Sequence, residues 1–210
     1  MIAVSSANVA TMESFDWRIR INDTKSTHTN FTNRKVDTIR ITLNNNVIPY
    51  SNRVKYLGMT LDAQLRWKEH VKMKREQLNI QYRKMYWLLG RNSQLTTENK
   101  LLLYKQVLRP VWTYGIQLWG CTKKTNIKII QTFQNKVLRN IINAPWYVRN
   151  DDLHRDLKLE TVNEMVVKHA TSHAQRILHH INPEIQRMLE ETPHIPRRLK
   201  RNKPNDLVSM

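Results

Sequence analysis

A single cysteine, Cys121, is all the sequence offers for sulfur chemistry. This excludes an internal disulfide and any multi-cysteine zinc site, and it fits a reducing, intracellular compartment, cytoplasm or nucleus. Glycine is also scarce. Four glycines in 210 residues form no phosphate-cradling loop, and neither a Gly-x-Ser-x-Gly elbow nor a Cys-His nucleophile pairing occurs. No apolar run approaches the ~20 residues of a membrane-spanning helix, and no signal peptide opens the chain. Acids are few: 17 Asp and Glu stand against 35 Lys and Arg, a formal charge of +18. A surplus of that size repels itself unless a polyanion neutralises it, and phosphates do so while releasing condensed counterions. Nucleic acid is therefore the partner to which the composition points.

What is present is the composition of a folded protein, with 40% apolar residues, six Trp and seven Tyr, enough to build a core. Residues 1–16 have no sustained period and read as a poorly ordered leader. Alternation then sets in. Trp17, Ile19 and Ile21 interleave with Arg18 and Arg20, His28 to Phe31 is a second extended stretch, and Val36 to Leu43 alternates again before a turn at Asn44-Asn45-Asn46. Val47-Ile48 and Val54 to Leu57 are two further strand candidates, so residues 17–62 form a small, mostly β piece.

Beyond Leu61 the period lengthens to that of a helix. Val71, Leu78, Tyr82, Met85 and Leu89 form a stripe ending at Gly90. Thr96 or Thr97 caps a helix through Leu108 that Pro110 interrupts and that resumes toward Trp119. Ile127, Ile130, Phe133, Val137 and Ile141 mark a helix stopping near Pro145. Thr161 with Glu164 forms a capping box for a helix to about Ile181, and Asn182-Pro183 starts one more. Residues 63–191 are thus a helical region, and 192–210 a proline-punctuated basic tail carrying Arg197, Arg198, Lys200 and Arg201.

The densest charge lies between Arg66 and Arg91: Arg66, Lys68, Lys72, Lys74, Arg75, Arg83, Lys84 and Arg91, against Glu69 and Glu76 alone. These cations suit phosphate contacts. The interleaved Trp67, Tyr86 and Trp87 fit either base stacking or a core, and helical spacing favours the core. Asp151-Asp152 looks like a carboxylate pair for two metal ions, but Asn150 before it and Leu153 and Leu157 after it describe a capped helix start. His169 and His173 lie four apart with no Glu between them and no third ligand, and His154 and His179-His180 are equally isolated. No metal site is expected.

The ordered motifs WRIRINDTKS (17–26), VKYLG (54–58), LRWKEH (65–70), YWLLGR (86–91), NKLLLY (99–104), WTYGIQLWG (112–120), APWYV (144–148), HRDL (154–157) and the run from Arg197 to Leu207 closely resemble non-LTR retrotransposon reverse transcriptases, especially jockey-like insect elements. The matching part is the C-terminal one, downstream of the catalytic Tyr/Phe-Ala-Asp-Asp motif. The resemblance implies an α+β fold: a small antiparallel β piece from the end of the palm, followed by a predominantly α-helical thumb-like bundle. It places Lys25 in motif D near the incoming nucleotide's phosphates, as an auxiliary charge or proton donor. Tyr56, Leu57 and Gly58 become a primer grip, and the helices from about Leu65 a thumb holding RNA or RNA·DNA duplex. It gives Asp151-Asp152 no catalytic counterpart. The fingers and the palm strands with the metal-binding aspartates are not in the chain, so a non-catalytic fragment is expected, with no cofactor of its own, although the complete enzyme would require Mg²⁺. Two alternatives remain: a helical interaction protein that docks the upstream fingers and palm portion, or an unselected relic of a mobile element.

Overall fold

In a computed structural model the described residues are 22–32, 40–43, 45–187 and 204–207. The strand expected from Trp17 to Ile21 and the cations Arg197 to Arg201 lie outside them. The chain divides into two compact units, Met1–His70 and Val71–Met210.

The first unit contains two antiparallel hairpins among its described residues. In one, β1 (Ile41–Leu43) pairs with β2 (Asn46–Ile48), with Ile41 opposite Ile48 and Leu43 opposite Asn46. Asn45 closes it at φ 64°, a left-handed conformation that a short amide side chain tolerates. In the other, β3 (Arg53–Tyr56) pairs with β4 (Met59–Asp62), a strand that the periodicity did not reveal. Leu57 at φ 45° and Gly58 at φ 74° close it, the two positive φ angles of a turn whose twist matches the strands it joins. The extended stretch at His28 makes only a parallel bridge to Tyr50: His28 N–H donates to Pro49 O at 3.1 Å and Ser51 N–H to His28 O at 2.9 Å. Ile48, Met59, Trp67, His28 and His70 are the buried residues around these hairpins. Asp62 supports the exit toward the helices. Its carboxylate accepts the N–H groups of Arg66 and Trp67 at 3.0 Å each, holding Leu65 (φ 49°) and Trp67 (φ 62°) in a conformation that L side chains rarely adopt.

The helices begin with α1 (Lys68–Lys84), whose Val71, Leu78 and Tyr82 are buried. At Met85 the helix breaks, and α2 (Tyr86–Leu89) follows with Leu89 inward. Gly90 ends it for reasons of space rather than handedness: its φ is −70°, but a Cβ there would lie 2.6 Å from Tyr86 O. Thr96 caps α3 (Thr97–Leu103) by accepting Asn99 N–H at 3.3 Å, and buried Lys100 donates through Nζ to Gly90 O at 3.0 Å.

Pro110 does not interrupt the helix. A π-helical turn, Tyr104–Leu108, leads directly into α4 (Arg109–Thr113) with the proline in its first turn. The wider turn makes room for a ring that would otherwise clash with the preceding carbonyls, and a first-turn position needs no N–H. The break comes instead at Tyr114-Gly115, where Gly115 takes φ 66°, before α5 (Ile116–Trp119). Tyr104, Trp112, Ile116 and Trp119 are wholly buried or nearly so, and the Trp119 indole donates to Tyr114 O at 3.2 Å.

The longest apolar stripe lies on α6 (Lys124–Ile141), burying Ile127, Ile130, Phe133, Val137, Leu138 and Ile141, while α7 (Asn150–Asp156) and α8 (Val162–Leu178) pack against it. The capping box at α8 forms as the sequence implies: Thr161 Oγ1 accepts Glu164 N–H, and Glu164 Oε2 accepts Thr161 N–H at 2.7 Å. Gly120 lets α5 approach α8 closely, since a Cβ would sit 2.8 Å from Val166 Cγ1. Asn182 caps α9 (Pro183–Gln186). Part of the segment expected to be a tail, Pro204–Leu207, is a 3-10 turn packed on α8 with Leu207 buried. The architecture is α+β, two small antiparallel hairpins on the N-terminal side followed by helices.

Candidate nucleic-acid interface

Lys68, Lys72 and Arg83 are exposed along one flank of α1, beside rather than opposite the stripe of Val71, Leu78 and Tyr82, and exposed Glu76 shares that flank. Charged groups so placed keep their hydration and can approach a phosphate without a desolvation penalty. Lys84 and Arg91 are exposed as well. The other two cations of α1 are placed differently. Lys74 Nζ lies 5.5 Å from the Tyr114 ring centre. The Arg75 guanidinium lies 4.8 Å from that of Phe133, and one of its nitrogens is buried without a hydrogen-bond partner. Burial holds the Arg75 group below its ordinary pKa. These two charges rest on aromatic faces along the flanks of the core. The eight-cation run is therefore divided, and Arg75 is held in packing rather than presented to solvent.

The aromatics also divide. Trp67 is buried, although it precedes α1 rather than lying in it, whereas Tyr86 is 51% and Trp87 74% exposed, against the core role favoured for all three. Leu89 continues the buried stripe of Leu78, Tyr82 and Met85 at helical spacing, and Trp87, two positions before it, falls on the opposite, outward side.

In the first unit, Tyr56, Leu57 and Gly58 occupy the tip of the β3–β4 hairpin, all exposed. Lys25 ends a 3-10 turn, Asp23–Lys25, and its side chain is exposed. An open cleft of about 560 Å³ in this unit is lined by Arg53, Arg66 and Lys68 but also by Asp62 and Glu69. Arg53 and Glu69 lie 3.4 Å apart, so much of its charge is locally offset.

The carboxylate pair does not fit a two-metal site. Asp151 and Asp152 lie in the first turn of α7, after Arg149 as N-cap, and Arg149 makes no side-chain capping bond. Adjacent helical residues diverge, and Asp152 is engaged by Arg155 at 2.7 Å. The pair acts on the helix dipole rather than as a cap. Among the described residues, no group of three or more His, Cys, Asp or Glu could hold a metal ion. His154 is buried and structural: its Nδ1 lies 2.9 Å from Leu159 O, and its Nε2 lies within 3.1 Å of Gln131 and 3.0 Å of Asn135. His169 and His173 have their pKa values lowered, by burial first and then by cations, Lys168, Arg109 and Arg176 around His169 and Arg176 beside His173. Among the described residues, no helix is long and apolar enough to cross a membrane.

One feature escaped the sequence reading. Between Glu98 and Asp151 the chain has no acid at all, yet it carries Lys100, Lys105, Arg109, Lys123, Lys124, Lys128, Lys136, Arg139 and Arg149. Within this stretch, Trp146 and Tyr147 stand in solvent. The acid gap was the available signal, masked because its cations are spread thinly.

Comparison with known proteins gives this surface a context. The chain is 41% identical, over 92% of its length, to the probable RNA-directed DNA polymerase from transposon X-element of Drosophila melanogaster. It is 35% identical over 88% to the corresponding protein of transposon BS from the same organism, and 32% identical over 91% to the RNA-directed DNA polymerase of mobile element jockey from Drosophila funebris. It spans about a fifth of the length of these curated relatives. No family profile matches the chain, and no solved structure does. Along some nine-tenths of its length, this chain is homologous to a segment of the RNA-directed DNA polymerases of the Drosophila mobile elements X-element, BS and jockey.

Proposed function

We propose that the chain is the part of such a polymerase that holds the template and primer, and that it does not carry the polymerising chemistry. The observation that carries this reading is the exposed cationic side of α1, with Lys68, Lys72 and Arg83 clear of the core and Lys84, Arg91 and Trp87 exposed just beyond. Point charges on a rigid helix contact phosphates whatever the base sequence, so RNA or RNA·DNA duplex would be held with little sequence preference. In the other unit, the Tyr56-Leu57-Gly58 turn is proposed as a primer-grip-like element, where glycine lets backbone approach a strand end closely. Lys25 is proposed as an auxiliary charge near nucleotide phosphates. Arg197, Arg198, Lys200 and Arg201 add charge to the same task. The complete polymerase would use Mg²⁺ on aspartates outside this chain, and no chemical step is assigned to residues of this chain. Primer extension with the purified chain, Mg²⁺ and dNTPs is expected to give no templated product; robust synthesis would overturn the non-catalytic half of the reading.

A second reading rests on the two hairpins. A two-stranded hairpin leaves both outer edges unpaired and is marginal by itself, and the described strands pair only two by two. These edges suit docking of the upstream fingers and palm portion. Supplying that portion should then protect the β1 and β3 amides from hydrogen exchange; unchanged exchange would reject this second role.

A further inference from the structure

The loop between α6 and α7 presents an arrangement that packing does not explain. Pro145 to Val148 is a turn closed by Val148 N–H donating to Pro145 O at 3.3 Å, and Trp146 and Tyr147 are its two central residues. Their rings stand edge to face with centres 6.0 Å apart at 81°, and they are 89% and 70% exposed. Such positions are usually taken by Gly, Asn, Asp or Pro, because a large apolar ring there gains nothing from the fold and orders water around it.

The turn is nevertheless held firmly. Arg139, on the last turns of α6, donates from one guanidinium nitrogen to Pro145 O at 3.0 Å and from another to Val148 O and to Asn150 Oδ1, the last at 3.0 Å. Both ends of the turn are thereby tied to one helix. Ala144 N–H donates to Arg139 O at 3.0 Å and Ala144 is buried, which fixes the entry to the loop. A rigid mount for two exposed rings limits the entropy lost when something settles on them.

The setting selects the occupant. Between Glu98 and the Asp151-Asp152 pair the chain has cations and no acid; Lys128 and Lys136 are exposed on α6, and Arg149 is exposed just past the turn. An aromatic platform followed at once by exposed Arg149, in a stretch that carries cations and no carboxylate before Asp151, is the combination that suits unpaired nucleotides: bases stack on the rings while the backbone follows the charges. A duplex keeps its bases stacked internally and has no need of the platform.

We infer that Trp146 and Tyr147 form a stacking platform for unpaired bases of a single-stranded nucleic acid. This rests on the chain being a nucleic-acid holder, but it assigns a second site distinct from the cationic side of α1, with a different substrate preference. Because stacking is contributed by neutral rings, its loss should weaken binding without changing the dependence on salt.

The test compares the full chain with Trp146→Ala/Tyr147→Ala and with Lys72→Ala/Arg83→Ala. The probes are a single-stranded oligoribonucleotide lacking self-complementarity and an RNA·DNA duplex. The aromatic variant is expected to keep the wild-type melting temperature, to lose single-strand affinity by about tenfold or more, to keep its salt slope and to bind duplex as before. Unchanged single-strand affinity in this variant would overturn the platform while leaving duplex binding by α1 intact. Failure of the wild-type chain to bind either probe would overturn both readings. If the variant instead loses self-association in sedimentation with single-strand affinity unchanged, the platform falls and the pair belongs to a contact between copies.

Discussion

Trp112 and Trp146 carry the same side chain into opposite environments. Trp112 lies within α4, between the π turn and the break at Tyr114-Gly115, and is wholly buried. Trp146 lies at the centre of a turn and is nearly as exposed as a residue can be. Trp87 repeats the second case: two residues beyond the break at Met85, and on the side away from the buried stripe, it faces outward although its type suits a core. The difference teaches that in this chain the direction in which the backbone aims a ring, more than its hydrophobicity, decides whether it packs inside or faces solvent.

The largest effect should come from the buried side of the comparison. Trp112→Ala removes a fully buried ring, and its cavity is expected to destabilise the fold by about 3–5 kcal/mol, read as a lowered denaturation midpoint. A loss below about 1 kcal/mol would mean that the core around α4 is loosely packed. On the surface side, Arg139→Ala should leave the rings of Trp146 and Tyr147 in place chemically while releasing their mount. It is expected to cost about 1–2 kcal/mol of stability and to weaken single-strand binding less than removal of the rings does. Single-strand affinity equal to wild type would show that the clamp on the turn is irrelevant to binding.

The smallest effect concerns pH. Burial and neighbouring cations lower the pKa of His169 and His173 in the folded chain, so the unfolded chain takes up protons at a higher pH than the folded one does. Over that window the unfolded state binds more protons, and stability falls as pH falls. Glu160 contributes in the same direction at lower pH: the hydrogen bond from Lys168 depresses its pKa, so its stabilisation is lost as pH falls through that depressed value. Melting temperature should decline from about pH 7.5 to about pH 5.5, and less so in His169→Gln/His173→Gln. An identical decline in both would assign the effect to overall charge repulsion.

Much of the helical frame was legible in the residues. The α6 stripe, the Thr161–Glu164 box and the Asn182-Pro183 start are local signals, and the structure places each where its chemistry requires. β4 was less visible: four residues of which only Met59 is buried have no period that stands out from a loop, and it is the pairing with β3 that defines it. Pro110 misled because a proline is read as a helix breaker unless the π turn before it is foreseen, and that turn is a tertiary accommodation around Tyr104 and Leu108. The surface was harder still. A run of cations identifies a polyanion binder, but only the fold separates Lys72 and Arg83, which face solvent, from Lys74 and Arg75, which lie on aromatic rings.

The central claim, that exposed cations of α1 hold nucleic acid through phosphates, is tested most directly by the salt dependence of RNA·DNA duplex binding between about 50 mM and about 200 mM salt. The account predicts a steep linear fall of log affinity with log salt for the full chain, and a slope shallower by about 1–2 in Lys72→Ala/Arg83→Ala. Affinity indifferent to salt, or a variant with an unchanged slope, would contradict it.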